Sequence, residues 1–286
     1  MVDFHKAIDY VNEKGSSLEK ARLDCILNTT APSSEVRQEI SELQNLDGGF
    51  PFAMVAGNLS TVNETTVALW WMEELDLLSW VIAQQAYGYL LSTQQSDGGW
   101  DEDVRIAQYD LPPWILLGDP KTKLYLSAYA AYWFAVGGYK HLPAFRKALH
   151  LLIRNQDQSG RIYGYTHTTW IAAAVFLMAG ERYSPVARLA IQALSLRPLA
   201  DWDDSQIAWA LDCLGKAGLP RDHPFMEGGL AEMTHRQKDD GSWAAEEGED
   251  SAVSTTIQVM KVLKRYGPIT PEKPDAPAEP HKIEND

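Results

Sequence analysis

The chain has 286 residues, of which 45% are hydrophobic and 22% charged, and its formal net charge is -14 at pH 7. A chain of this length and composition can bury a sizeable core, so a compact soluble fold is expected. The negative charge opposes the phosphate backbone of nucleic acid and the anionic face of a membrane, and neither is expected as a partner.

Cysteine usage and the start of the chain bear on the cellular compartment. Two cysteines, Cys25 and Cys213, cannot form a disulfide framework, and we expect both to be small core residues in a reducing compartment. The first residues lack the basic and apolar regions of a signal peptide. No stretch approaches the roughly 18 apolar residues of a spanning helix. We therefore expect a cytoplasmic protein without an integral membrane segment.

Apolar residues recur at helical spacing along most of the chain, with almost no alternation typical of strands. The spacing predicts six helix pairs, at 4–14 with 17–29, 33–44 with 62–78, 80–94 with 121–136, 142–155 with 166–179, 184–196 with 203–217, and 224–237 with 252–266. In each pair the second helix is the more apolar, and a helix that is apolar all round belongs inside. The prediction is an all-α fold, an α/α6 toroid of inner helices wrapped by outer ones.

Four short segments, which we call the tags, repeat between these helices. Each begins with glutamine, has glycine four residues later, and ends two residues after that on a bulky apolar side chain: Gln44–Phe50, Gln94–Trp100, Gln156–Ile162 and Gln237–Trp243. Glycine allows a positive φ, and glutamine can satisfy backbone groups at a helix end, so the tags predict turns between packed units. The interval between the third and fourth tags is long enough to hold a further unit without a tag.

Two segments fall outside the helical pattern. Residues 268–286 contain five prolines interleaved with charge, so we expect residues 1–267 to form the toroid and 268–286 to be a disordered tail. Val104–Pro120 is too long for a simple connection and carries a run of apolar residues around Trp114. Long ordered loops in compact domains are usually functional, so this one is predicted to be a lid over one opening of the ring.

The tags and the apolar helices before them resemble the QW repeats of the superfamily of squalene-hopene cyclases and protein prenyltransferases, over Phe4 to about Tyr266. The resemblance implies an α/α toroid, here as a single-domain member. In the unit without a tag, Asp201-Trp202-Asp203-Asp204-Ser205 is similar to the DxDD-[ST] signature of class II terpene cyclases. That similarity implies proton-initiated cyclisation of an apolar isoprenoid, with Asp203 as the proton donor.

Neighbouring residues would support that role. Asp201 and Asp204 would crowd Asp203 with like charge, which together with burial keeps a carboxyl protonated. His167 stands at the equivalent point of the preceding unit and could reprotonate the acid. The alternative is that these residues cap helices, because Asp, Ser and Thr are preferred N-caps and other units carry Thr or Ser at this point.

Aromatic side chains are dense on the predicted inner helices and occur in the long loop. Those expected to line a substrate cavity are Trp70, Tyr125, Tyr129, Trp133, Trp170, Trp209 and Trp114. Aromatic faces stabilise cations by roughly 0.5–2 kcal/mol per ring, as a cyclisation through carbocations requires. The alternative is an ordinary core, where aromatic stripes at helical spacing usually pack.

Neither a metal nor a cofactor is expected. Neither cysteine lies where the resemblance would require the zinc ligand of a protein prenyltransferase, and no DDxxD motif is present to hold magnesium. Clustered basic residues suited to a diphosphate are scarce, and Lys121 with Lys123 is the one pair of interest.

The resemblance covers only one of the two helical domains of class II cyclases, so a partner subunit could complete the cavity. Two other functions stay open. One is a non-catalytic toroid that binds an isoprenoid or a protein. The other is glycan processing by two separated carboxylates, such as Glu64 and Asp203.

Overall fold

The computed structural model describes residues 2–267 and contains twelve α-helices in that range. They are α1 (Phe4–Lys14), α2 (Ser17–Asn28), α3 (Ser34–Leu43), α4 (Val62–Glu74), α5 (Val81–Thr93), α6 (Pro120–Val136), α7 (Pro143–Arg154), α8 (Thr166–Ala179), α9 (Ser184–Ser195), α10 (Asp204–Lys216), α11 (Pro224–His235) and α12 (Ala252–Tyr266). Two short antiparallel strands, β1 (Phe50–Pro51) and β2 (Ser60–Thr61), lie between α3 and α4. The predicted all-α class is confirmed, whereas the predicted tail at 268–286 lies outside the described residues.

The even-numbered helices form an inner ring. Each of them packs against the next in chain order, and α12 packs against α2, which closes the ring. The odd-numbered helices cover it. α7 buries one stripe that includes Phe145 and Leu152 and exposes the other face, whereas α8 is buried continuously from Thr168 to Phe176. The structure therefore confirms the predicted α/α6 toroid.

The helix bounds follow the apolar spacing closely except at the end of α4. The spacing predicted a helix to residue 78, but α4 ends at Glu74. Asp76 adopts a left-handed conformation with φ +57°, and the N–H of Leu77 donates to the carbonyl of Met72 at 2.7 Å. This is the Schellman arrangement that ends many helices, and it is made here without the usual glycine.

The tags connect each unit to the next. In the second tag, the side-chain amide of Gln94 donates to the carbonyl of Gly98 and to that of Ala144 in the first turn of α7, both at 2.9 Å. Gly98 has φ +95°, and a Cβ there would lie 2.7 Å from Lys147. The other three tag glutamines repeat both bonds, and the fourth, Gln237, closes the ring by donating to the carbonyl of Asp3 at 2.9 Å.

A buried ionic cluster joins inner helices at their C-terminal ends. Lys261 of α12 donates to Glu73 of α4 at 2.7 Å and to Asp212 of α10 at 3.0 Å. Although burial alone would raise it, nearby Lys216, Lys261 and Arg265 hold the pKa of Asp212 well below its usual range. This end of the ring is therefore polar and charged.

Candidate functional site

The ring contains a cavity of about 310 Å³ at the N-terminal ends of the inner helices. Its lining residues are Asn63, Val67, Trp70, Trp71, Trp114, Tyr125, Tyr129, His167, Ser205, Gln206, Trp209, Ala245, Glu246, Glu247, Ser251, Ser254, Thr255 and Gln258. This volume is at the lower end of the roughly 300–1,000 Å³ typical of ligand pockets. Most of the wall comes from the first two turns of the inner helices.

One wall of the cavity is aromatic. The ring centroids of Tyr129 and Trp209 are 5.2 Å apart, and those of Trp114 and Tyr125 are 5.3 Å apart in an edge-to-face arrangement. Tyr125 and Tyr129 are 8% and 2% exposed, and burial raises the pKa of both phenols well above their ordinary value. Both tyrosines are therefore neutral at physiological pH and present uncharged aromatic faces to the cavity.

Helical spacing explains which aromatic residues reach the cavity. Tyr125 and Tyr129 lie one turn apart on α6 and share its inner face. Trp133, a further turn along, is 2% exposed and does not line the cavity. Trp170 is fully buried and packs on Trp202 with their ring centroids 5.5 Å apart. The structure therefore places Trp133 and Trp170 in the core, whereas the other five predicted aromatic residues line the cavity.

The cavity also carries a histidine–carboxylate pair, and the His167 ring centroid lies 5.4 Å from that of Trp209 in the aromatic wall. His167 Nε2 lies 3.2 Å from Glu246 Oε2, and the N–H of Glu246 donates to Ser205 Oγ at 3.0 Å. The bond to His167 lowers the pKa of Glu246 against the opposing effect of burial, and Gln206 adds to the lowering. The lowered pKa keeps Glu246 ionised, so its carboxylate is free to accept a proton, although as a weaker base than an ordinary carboxylate. The sequence singled out His167 but gave no sign of Glu246 as its partner.

Asp203 lies at the start of α10 as that helix's N-cap residue, and its side chain is exposed. Its N–H donates to the side-chain oxygen of Gln206 at 3.4 Å, which completes a capping box. Asp201, in the turn Leu199–Asp201, is exposed as well. Neither side chain lines the cavity. The placement fits the capping alternative, and the donor role of Asp203 stays a prediction.

Asp204 is the buried member of the acidic motif, at 4% exposure. Its carboxylate accepts a bond from Arg236 at 3.2 Å and one from the N–H of Ala244 at 2.9 Å. Burial raises the pKa of Asp204, and these two bonds oppose the shift. Because Arg236 also binds the carbonyls of Leu199 and Trp202, Asp204 helps to fix the connection before α10. It does not line the cavity.

The long loop Val104–Pro120 lies beside the cavity, and Trp114 contributes to the wall. Phe52, Ile106 and Ile115 form a small apolar cluster with this loop, separate from the main core. The carbonyl of Trp114 accepts a bond from the hydroxyl of Tyr165 at 2.7 Å, which ties the loop to the start of α8. The loop is thus fixed at the ring opening, while its predicted action as a lid remains a prediction.

A second buried acid near the cavity was not indicated by the sequence. Glu102, 5% exposed, accepts the N–H groups of Val62 and Asn63 at 2.8 and 2.9 Å, at the start of α4. Burial raises its pKa to about 8. Glu64 is also buried, but it accepts the N–H of Ala53 and does not line the cavity. The two-carboxylate interpretation with Glu64 and Asp203 therefore gains no support from the cavity.

Within residues 2–267, no group of three or more His, Cys, Asp or Glu side chains is arranged to hold a metal ion. In the same range, no helix is long and apolar enough to cross a membrane. Cys213 is buried, and Cys25 is partly buried; neither forms a disulfide.

No family model and no curated protein matches the chain. Several solved structures are similar. A type II terpene cyclase, MstE from Scytonema, in complex with its product merosterolic acid A, is 17% identical, with 88% of this chain and 87% of that chain covered and a TM-score of 0.60. MstE in complex with its substrate geranylgeranyl dihydroxybenzoate is 18% identical, with 87% of each chain covered and a TM-score of 0.60.

A protein from Actinoplanes is 15% identical, with 92% of this chain and 98% of that chain covered and a TM-score of 0.63. At these identities the likeness establishes the fold and leaves the activity to be argued from the site. The chain therefore has the fold of type II terpene cyclases.

Proposed function

We propose that this protein is terpene cyclase-like and binds an apolar isoprenoid chain in the cavity at the inner-helix N-termini. The observation that carries the proposal is the convergence of aromatic side chains from α4, α6, α10 and the long loop on one cavity. The MstE structures, which share this fold, hold a geranylgeranyl compound and a product in complex. The ionic cluster makes the C-terminal end of the inner helices charged. The aromatic cavity at their N-terminal end is therefore the apolar end of the ring.

The finer proposal is proton-initiated cyclisation. A proton adds to the terminal alkene of the chain, the alkene's π electrons form the new C–H bond, and a tertiary carbocation remains. Aromatic faces such as those of Tyr129 and Trp209 would stabilise it by about 0.5–2 kcal/mol each. After ring closure a neighbouring C–H bond gives up its proton, and Glu246, paired with His167, is the lining carboxylate suited to accept it.

Asp203 remains the proposed donor. It precedes the lining residues Ser205 and Gln206 on the chain, so it stands close to the rim of the cavity. A carboxyl stays protonated near neutral pH only when it is desolvated or crowded by like charge. In this proposal the bound isoprenoid, or a partner subunit seated on the rim, would supply the burial that the exposed side chain lacks.

A second candidate function is isoprenoid binding without reaction. The observation that favours it is that the carboxylates lining the cavity, Glu246 and Glu247, are exposed, as is Asp203. An acid that protonates an alkene needs burial or crowding by like charge, and an exposed carboxylate lacks the burial. The same cavity would then hold an isoprenoid as cargo.

Two measurements separate these functions. Farnesol and geranylgeraniol are titrated while tryptophan fluorescence is followed, with Trp209→Ala as the cavity variant and Trp80→Ala as the control. Trp80 precedes α5 and does not line the cavity. We expect saturable binding that is weakened in Trp209→Ala alone. The same mixtures are analysed for cyclic products by gas chromatography and mass spectrometry.

Products that disappear in Asp203→Asn would support cyclisation with Asp203 as donor. Products that persist in Asp203→Asn would refute that donor. Binding without any product would favour the carrier function. No binding of either alcohol would contradict both candidates.

A further inference from the structure

The connection from α9 to α10 departs from the tag pattern. In the α7–α8 connection, Gln156 follows the end of the helix by two residues and donates to the carbonyl of Val186 at 2.9 Å. α9 ends at Ser195, and the residue two positions later is Arg197. Its guanidinium lies over the indole of Trp202, 5.5 Å from the ring centroid, and donates to the carbonyl of Asp201. An arginine therefore stands where the third and fourth tags place their glutamines.

A second, smaller cavity of about 220 Å³ lies beside this arginine, between the start of α8 and the end of α9. We call it the arginine pocket. Arg161 and Arg197 line it, together with Gly164, Thr166 and Trp202. None of its lining residues is acidic. Among residues 2–267, no ion pair to a carboxylate is formed by either arginine. The lining of the pocket is therefore positively charged, although Arg197 lies near enough to Glu246 to lower the pKa of that carboxyl.

Other groups at the arginine pocket also favour an anion. α8 begins at Thr166, which lines the arginine pocket, and the N-terminus of this helix has no side-chain cap. Trp202 is 2% exposed, and its Nε1 is buried without a hydrogen-bond acceptor. The two guanidinium groups and the buried indole N–H are hydrogen-bond donors that the oxygens of an anion would satisfy.

We propose that the arginine pocket is an anion site that binds a phosphate group. Arg161 and Arg197 would hold its oxygens in charge-assisted hydrogen bonds. The phosphate could be a free anion or the head group of an isoprenoid. The second source rests on the proposed function, because Tyr165 lines the arginine pocket while its hydroxyl binds the carbonyl of Trp114, which lines the aromatic cavity. Tyr165 thus connects the arginine pocket to a residue in the wall of the aromatic cavity.

The test is isothermal titration of the full chain with three probes: inorganic phosphate, farnesyl monophosphate and farnesol. The variants are Arg161→Gln and the double variant Arg161→Gln/Arg197→Gln, with Arg188→Gln as the matched control. Arg188 is exposed on α9 and lies outside the arginine pocket. Because Arg161 is also exposed, Arg161→Gln should fold normally, and thermal unfolding checks this.

We expect inorganic phosphate to bind, the affinity to fall about tenfold in Arg161→Gln and further in the double variant, and the control to match the wild type. Affinity should also fall with rising salt concentration. No saturable binding of either phosphate probe, or equal affinities for wild type and Arg161→Gln, would overturn the proposal. Farnesol binding without phosphate binding would overturn the anion site and leave the aromatic cavity intact.

The probes also separate the two sources of phosphate. The arginine pocket would be supported as a head-group site if farnesyl monophosphate binds more tightly than inorganic phosphate. Trp209→Ala should then lower the affinity for farnesyl monophosphate and leave that for inorganic phosphate unchanged. Equal affinities of the two phosphate probes, both unaffected by Trp209→Ala, would support a site for the free anion.

Discussion

Glu102 provides the sharpest test of the electrostatics at the start of α4. Its two carboxylate oxygens accept the N–H groups of Val62 and Asn63, and burial raises its pKa from 4.5 to about 8. A carboxyl whose folded pKa lies above its unfolded pKa takes up a proton on folding. Its contribution to stability is therefore complete below about pH 4.5 and is lost as the pH rises through about 8.

The size of the effect follows from the difference between the two pKa values. The difference of about 3.5 between the folded and unfolded pKa of Glu102 corresponds to about 5 kcal/mol of folding free energy. Most of this stabilisation is lost between about pH 5 and pH 9. In Glu102→Gln the side chain is neutral at every pH, so this part of the pH dependence disappears. The amide keeps only one acceptor oxygen for two N–H groups, which costs about 1–3 kcal/mol. The variant should be less stable than the wild type at pH 5 and more stable at pH 9.

Urea unfolding of wild type and Glu102→Gln at pH 5 and pH 9 measures both free energies. Glu39→Gln is the control, because Glu39 is exposed on α3. The control should follow the wild-type pH dependence. Parallel curves for wild type and Glu102→Gln would show that Glu102 is ionised in the folded protein and would refute the reasoning.

Three further predictions concern stability. Gln94→Ala removes two hydrogen bonds between units and should lower the free energy of unfolding by about 1–3 kcal/mol in urea titrations; a change near zero would show that the tag glutamines do not stabilise the ring. If Asp203 caps α10, Asp203→Ala should lower the free energy of unfolding by about 0.5–2 kcal/mol in the same assay. Asp203→Asn should change it little, because Asn is as good a cap. Arg22→Met removes the 2.7 Å partner of the fully buried Glu74, which keeps its bonds from Lys261 and Trp70, and should lower the free energy of unfolding by about 1.5–3 kcal/mol; an unchanged melting temperature would contradict this.

The helices and their ring could be predicted because the information is local. Apolar periodicity distinguishes an inner helix such as α8 from an outer helix such as α7. The tags specify the turns between units. The end of α4 was missed, since Asp76 adopts a left-handed conformation that sequence patterns assign mainly to glycine.

The cavity could be predicted only in part. An inner helix has several buried faces, so spacing alone could not show that Tyr129 faces the cavity and Trp133 the core. The acidic motif is ambiguous because aspartate suits both a helix cap and an acid, and only the exposure of Asp203 bears on the choice. Arg161 and Arg197 lie far apart in the chain, and they line the same pocket only because of how α8 and α9 pack.

The central claim, that the aromatic cavity holds an isoprenoid chain, is tested most directly by photo-crosslinking. The protein is irradiated with a diazirine-bearing farnesol analogue, with and without excess farnesol, and the labelled peptides are mapped by mass spectrometry. The claim predicts labels on Trp70, Tyr125 or Trp209 that excess farnesol suppresses. Labels confined to the outer helices, or labels that excess farnesol leaves unchanged, would contradict it.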